Sequence, residues 1–108
     1  MSAAAFRERL RDDLKAAMRA RNEADVRALR ALGAAIDNAE AVPLGDEALR
    51  RFGDGEIARR ELSDADIAGL LARERDERLD AAAEFERLGE ASEAERLRSE
   101  AALIASYQ

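Results

Sequence analysis

The sequence contains no cysteine, no histidine and no tryptophan, and only one proline and four aromatic residues occur among its 108 positions. The absence of cysteine excludes a disulfide framework, a thiolate metal site and a thiol nucleophile. The absence of histidine removes the commonest general base and metal ligand. No apolar run approaches the ~20 residues of a membrane span, and the start lacks the basic and apolar regions of a signal peptide. We therefore expect a soluble, cytoplasmic protein without a membrane segment.

Helix-forming residues dominate what is present. Alanine supplies 26 residues, and arginine outnumbers lysine 17 to 1. Alanine, leucine, glutamate and arginine all favour helices. A charged fraction of 39% alone would suggest disorder, but 47% hydrophobic residues in regular placement favour folding. The sequence predicts an all-α fold, a small bundle of four main helices in a single domain over residues 1–108.

The first two helices are predicted from their caps and their apolar periodicity. Helix one runs from about Ala3 to Arg21 after the N-cap Ser2, and its apolar arc comprises Ala3, Phe6, Leu10, Leu14, Ala17 and Met18. Helix two runs from about Glu23 to Asn38, with Asn22 as cap and Asp25 in a capping-box position. Its apolar arc comprises Val26, Leu29, Leu32, Gly33 and Ile36. A glycine there predicts that another helix approaches closely.

Residues 41–62 interrupt this pattern, and we expect a connecting loop with short helical pieces. Pro43 restricts Val42 to an extended conformation and indicates a turn through Gly45. One or two helical turns are predicted over Asp46–Phe52, followed by a glycine-rich break. The stretch Glu56–Glu61 is ambiguous. The segment is therefore a loop or short helical insertion between the second and third helices.

The last two helices are predicted to form an antiparallel hairpin. Ser63 and Asp66 indicate a capping box for helix three, which ends near Leu88 with Gly89 as C-cap. Its apolar arc comprises Ile67, Leu70, Leu71, Ala81, Ala82, Phe85 and Leu88. Ser92 and Glu95 indicate a second capping box for helix four, over about Glu93–Ser106, with the seam Ala94, Leu97, Ala101 and Ile104. Leu103 and Tyr107 lie off that seam, and we expect them to form a contact patch for a partner.

Formal charge is unevenly distributed along the chain. The total of −6 divides into +2 over residues 1–38, −1 over residues 39–60 and −7 over residues 61–108. The total lacks the basic footprint of a nucleic-acid-binding protein. The first two helices nevertheless carry a local basic face that could bind nucleic acid. This face comprises Lys15, Arg19, Arg27 and Arg30. An ordinary solvated surface is the alternative interpretation.

Few residues are suited to catalysis. A di-iron site in a helical bundle needs Glu-x-x-His, which this sequence cannot supply. There is no phosphate-binding glycine loop and no serine-elbow motif. Four aromatic residues are too few for a stacking platform for single-stranded nucleic acid. We therefore predict no catalytic residue, no metal site and no cofactor.

The most informative polar pair is Glu74 with Arg78, which lies within the apolar arc of helix three. The acid precedes the base by four residues, the favourable order for a helical ion pair. One interpretation is a partly buried ion pair that orients helix three against helices one and two. The other is a polar pocket completed by Asn38, Glu40 or Arg30. Glu40 would itself lie on an apolar arc without an evident partner.

Three segments resemble the GatB/YqeY family, small helical proteins similar to the carboxy-terminal region of the GatB component of the tRNA-dependent amidotransferase. Leu14–Arg21 looks like the first-helix motif of the family. Val26–Leu32 and Ala35–Glu40 are similar to its signature second helix, and Leu62-Ser63-Asp64 opens the third helix as in family members. Four residues in and just after the third helix also match positions where the family tends to have a glutamate, an arginine, an aromatic residue and a glycine. They are Glu74, Arg78, Phe85 and Gly89.

The resemblance implies an amidotransferase-like label, carbon–nitrogen bond formation with glutamine as donor, although that chemistry belongs to other domains of the complex. It therefore implies a non-catalytic accessory module, with tRNA or a tRNA-modifying or amidotransferase complex as partner. Typical members continue through Tyr-Leu-Pro into a second helical subdomain implicated in tRNA recognition, whereas this sequence has Tyr107-Gln108, so we expect that subdomain to be absent. The alternative is a protein-interaction or self-associating helical bundle, a homo-oligomer with no nucleic-acid role.

Overall fold

The computed structural model describes residues 1–42, 58–59 and 61–108. Four helices make up most of this part of the chain: α1 (Ala3–Arg19), α2 (Glu23–Glu40), α3 (Asp64–Arg87) and α4 (Ala91–Ala105). Two short strands, β1 (Ala41–Val42) and β2 (Ala58–Arg59), lie between α2 and α3. The prediction of a small all-α bundle of four main helices is confirmed.

Three of the predicted helix starts have the expected caps. The Ser2 side chain accepts a hydrogen bond from the Ala5 amide at 3.1 Å, and the Asn22 side chain accepts one from the Asp25 amide at 3.1 Å. Ser63 and Asp66 form a reciprocal capping box, with both hydrogen bonds at 3.0 Å. These bonds satisfy amides that the first turn of a helix leaves without partners, so local sequence sets the three starts.

The predicted cap of the last helix is wrong. Helix α4 begins at Ala91, and its N-cap is Glu90, which makes no side-chain capping bond. The Ala94 amide already donates to the Glu90 carbonyl at 3.1 Å, so Ser92 lies inside the first turn. The cause is the tight end of α3. Gly89 has φ +79°, which favours glycine, and the Glu90 amide donates to the Phe85 carbonyl at 2.8 Å.

The connection between α2 and α3 contains a pairing that the sequence does not predict. β1 and β2 are antiparallel, with Ala41 opposite Arg59 and Val42 opposite Ala58. The sequence predicts a loop with short helical pieces here, because a two-residue strand is too short to show a periodicity. The helical turns expected over Asp46–Phe52 and the turn expected over Pro43–Gly45 lie outside the described residues.

The core has two parts, which lie at different heights along the α3–α4 hairpin. The larger cluster joins all four helices and buries Phe6, Leu10, Ala17, Leu29, Leu32, Ile36, Leu62, Ile67, Leu70, Leu71, Ile104 and Tyr107. The smaller one, near the turn between α3 and α4, buries Ala82, Ala94 and Leu97 with Ala81 and Phe85 packed against them. The predicted seam of α4 is buried throughout, and at least half of each other apolar arc is buried.

Four residues differ from the predicted packing. Met18 is 50% exposed and Leu88 is 60% exposed, so neither belongs to the core. Tyr107 is 5% exposed and Leu103 packs against the main cluster, so they do not form the expected contact patch. Met18 lies in the last turn of α1 and Leu88 directly follows α3, and both side chains point out of the core. Tyr107 is buried because the chain beyond α4 turns onto α1.

Candidate nucleic-acid interface

The basic residues of α1 and α2 come together through a short turn. Arg21 lies in this turn with φ 55°, a left-handed conformation. The Arg21 amide donates to the Met18 carbonyl at 3.1 Å, and the Asn22 amide donates to the Ala17 carbonyl at 3.0 Å. These bonds close the end of α1 and start α2 within three residues, so the two helices form an antiparallel hairpin with their connected ends close together.

All four basic residues predicted for nucleic-acid binding are exposed, but they do not form one cluster. Arg27 and Arg30 line a surface pocket of about 580 Å³ together with Arg21, Met18, Glu23 and Val26. Lys15 and Arg19 lie on α1 outside this pocket. The structure therefore brings together half of the predicted set and adds Arg21. The sequence analysis missed Arg21 because it extended the first helix to about Arg21, whereas α1 ends at Arg19 and Arg21 lies in the turn.

A second pocket, of about 350 Å³, follows the groove between α1 and α2. Leu14, Leu29 and Gly33 line it, and Arg11 and Arg30 line it as well. Arg30 thus borders both pockets, which makes the exposed side of this hairpin one continuous surface. We call this surface the hairpin groove. It is lined by Arg11, Leu14, Arg21, Arg27, Leu29, Arg30 and Gly33 and by the two acids Glu23 and Asp37.

Most cations on the hairpin lack direct acidic partners; Arg7 and Arg9 are the exceptions. Within the described part of the chain, seven basic side chains have no carboxylate within 4.0 Å, namely Arg11, Lys15, Arg19, Arg21, Arg27, Arg30 and Arg73. Six of these seven lie between residues 11 and 30. The basic residues of α3 and α4 are paired, with Arg73 as the exception among described residues. Unpaired, exposed guanidinium groups are available to an anionic partner.

The predicted polar cluster around Glu74 and Arg78 is only partly assembled. The two side chains form an ion pair at 3.2 Å and are 18% and 15% exposed. Asn38 is exposed and lines the same surface groove as Glu74. Glu40 is drawn away, because it pairs with Arg7 of α1, which also binds Asp37 at 2.8 Å. The charge of Arg7 thus offsets that of an acid on the apolar arc of α2, whose Oε1 is buried without a hydrogen bond.

Arg78 instead reaches α4, where the sequence predicted no partner. Its Nε lies 3.9 Å from a carboxylate oxygen of Glu100, which is 11% exposed. Arg96 binds the other oxygen of Glu100 at 2.8 Å and also binds Glu93 at 2.9 Å. The Arg96 hydrogen bond lowers the pKa of Glu93. This network crosses the α3–α4 hairpin, so it positions α3 against α4, and three of its members, Glu74, Arg96 and Glu100, also line grooves that α2 borders.

Tyr107 connects α4 to α1. Its ring packs edge-on against Phe6, with centroids 5.6 Å apart, and the guanidinium of Arg9 lies 4.2 Å from its centroid. Its hydroxyl donates to the carboxylate of Asp13. Burial and the bond to Asp13 raise the pKa of Tyr107 well above its ordinary value. Asp13 is therefore engaged on the side of α1 that faces α4, away from the hairpin groove.

Other kinds of site find little support in the part of the chain that the structure describes. No group of three or more acidic residues there is placed to hold a metal ion. No helix among the described residues is both long enough and apolar enough to cross a membrane.

Comparison with known proteins gives one result. The family model described as "Yqey-like protein" matches residues 7–108, nearly the whole chain. No curated protein and no solved structure matches the chain. Since the family model covers the hairpin groove, the ion-pair network and all but the first turn of α1, we conclude that the chain belongs to the YqeY-like protein family.

Proposed function

We propose that this YqeY-like protein is a non-catalytic helical module that associates with tRNA through the α1–α2 hairpin. The observation that carries the proposal is the concentration of exposed cations without acidic partners on this hairpin, six of the seven found among the described residues. An arginine already held by a carboxylate must lose that bond before it binds phosphate. Arg27 and Arg30 need no such exchange, so phosphate contacts there are gained at lower cost.

The proposed role is accessory to amidotransferase-type or other tRNA-linked reactions, and puts the protein in the cytoplasm. Glutamine hydrolysis needs an activated nucleophile, and the full sequence has neither cysteine nor histidine. Transfer of the nitrogen needs an activated acyl group that another protein would supply. The module would therefore hold or orient tRNA while a partner enzyme performs the chemistry.

A salt titration of tRNA binding tests this proposal. Binding is measured by fluorescence anisotropy with labelled tRNA, from low salt upward. The logarithm of the affinity should fall linearly with the logarithm of the salt concentration, because phosphate contacts release counterions. The double variant Arg27→Ala/Arg30→Ala should lower the slope by about two, one for each lost phosphate contact.

Arg73→Ala is the matched control, because Arg73 is also exposed and unpaired but lies on α3 outside the hairpin groove. It should leave the slope unchanged. A drop of about one in the slope for Arg73→Ala, half that of the double variant, would show that only overall charge matters. Undetectable binding at low salt would reject the proposal. Light scattering on the same samples examines the alternative of a self-associating bundle. The contact patch predicted for that alternative is not exposed, since Tyr107 is buried and Leu103 packs against the main core.

A further inference from the structure

Gly33 is a helix-interior glycine that the packing of the described residues does not require. A Cβ atom built on Gly33 meets nothing within 4 Å. The close helix approach predicted from the sequence is therefore wrong. Glycine is among the least favourable residues in a helix interior, and neither a positive φ nor a neighbouring side chain among the described residues accounts for it here.

Its position in the hairpin groove suggests a role in binding. Gly33 lines the groove between α1 and α2 together with the half-buried Leu14 and the buried Leu29, and the unpaired Arg11 and Arg30 line the same groove. The lining is thus partly apolar and partly cationic. Asp37 also lines this groove, but its charge is offset by Arg7 at 2.8 Å.

We infer that the hairpin groove binds an unpaired, single-stranded segment of RNA, with Gly33 providing the space that a base or ribose occupies. The inference rests on the proposed function and specifies its ligand. Charge complementarity selects a polyanion, because the flanking arginines are unpaired. The apolar part of the lining selects a strand whose bases are free, since the bases of a duplex are stacked inside it and present mainly phosphates to a protein surface.

Arginine also explains how this groove can bind bases without aromatic residues. A guanidinium plane stacks on an exposed base while its N–H groups bind phosphate. The thioether side chain of Met18, which is 50% exposed, extends the apolar surface beside Arg21 and Arg27. The four aromatic residues of the sequence are therefore not needed for this mode of binding.

Filling the groove without changing its charge tests the inference. The substitution Gly33→Leu adds an apolar side chain at a position where a Cβ is accommodated, so the helix should form normally. Binding is measured with an unstructured RNA oligomer of about ten nucleotides and with a duplex of the same length. We expect Gly33→Leu to weaken binding of the single strand about tenfold, with the salt slope unchanged. The wild type should bind the duplex more weakly than the single strand.

Gly69→Leu is the control, because Gly69 also lies within a helix, has nothing within 4 Å of an added Cβ, and is on α3. Circular dichroism and a melting curve establish that both variants fold. Equal affinity of Gly33→Leu and wild type for the single strand, or equal binding of the duplex, would overturn the inference and leave tRNA association standing. Loss of a wild-type dimer in Gly33→Leu would identify a second copy as the occupant and also overturn it. Absence of any RNA binding at low salt would instead reject the proposed function itself.

Discussion

The two helical hairpins use their arginines in opposite ways. On α3 and α4, five arginines bind carboxylates of the same hairpin, and Arg78 and Arg96 form a network with Glu74, Glu93 and Glu100. On α1 and α2, Arg7 and Arg9 have acidic partners, while six cations between residues 11 and 30 have none among the described residues. Pairing therefore decides which charges remain available, more than the number of charges in each half.

Whether an arginine is paired also decides whether its loss affects the stability of the fold or the binding of a partner. Where carboxylate and guanidinium are partly buried together, the loss of one affects folding, because the remaining charge is left in a poorly solvated position. Where a guanidinium is exposed and unpaired, its loss affects what the surface can bind far more than folding. The comparison therefore predicts large stability effects on α3–α4 and small ones on the α1–α2 groove.

The largest expected effect is that of Arg78→Ala. This change leaves Glu74, which is 18% exposed, without its cation and weakens the contact to Glu100 on α4. We expect a loss of about 2–3 kcal/mol in the free energy of unfolding, somewhat below the roughly 3–5 kcal/mol for fully buried pairs. Chemical denaturation measures it.

Arg98→Ala is the control for this change. Arg98 pairs with Glu86, but the two side chains are 48% and 63% exposed, so solvent screens the pair. Its loss should cost less than about 1 kcal/mol. Equal melting temperatures for Arg78→Ala and Arg98→Ala would contradict a structural role for the network.

A medium effect is expected at Tyr107, where the two hairpins meet. Tyr107→Phe removes the hydrogen bond to Asp13 and should cost about 1 kcal/mol at neutral pH. The folded state raises the pKa of Tyr107, so its stabilising contribution is complete below the unfolded pKa of about 10. It is lost as pH rises above that value, because the unfolded state then releases the phenol proton more readily.

Denaturation at neutral and at alkaline pH checks this prediction, with the absorbance of tyrosinate as a direct probe. Tyr107 is the only tyrosine in the sequence, so the signal has one source. The wild type should lose stability on the alkaline side more steeply than Tyr107→Phe. If the free energies of unfolding of the two proteins fell equally steeply with pH on the alkaline side, the Tyr107 hydroxyl would not be hydrogen-bonded to Asp13 in the folded state.

The smallest expected effect is that of Arg27→Ala and Arg30→Ala on stability. Neither side chain has an acidic partner within 4.0 Å among the described residues, so each change should alter the free energy of unfolding by less than about 0.5 kcal/mol. Arg96→Ala, which removes a 2.8 Å partner of Glu100, should cost more. A marked loss of stability in either groove variant would undermine the contrast between the hairpins and the interpretation of the tRNA titration.

Much of the fold follows from local sequence. Ser2, Asn22 and the Ser63–Asp66 box begin three helices at the predicted places, because a cap and its amide are three residues apart. The hairpin of α3 and α4 also follows from Gly89 and a short connection. The candidate groove is predictable only in part, because Arg21 lies in a turn and Gly33 suggests a packed helix.

Local sequence alone was enough for the four helices, their approximate ends and the presence of a polar pair on the apolar arc of α3. The tertiary structure was needed to show which side chains meet across the bundle: Tyr107 with Asp13, 94 residues apart, Glu40 with Arg7, and Arg78 with Glu100. The physical reason is the distance along the chain over which each kind of interaction acts. Caps and periodicity act within one or two turns of a helix, whereas partners between helices depend on how the helices pack, which no local pattern specifies. The availability of the hairpin cations is a consequence of that packing, and the proposed function depends on it.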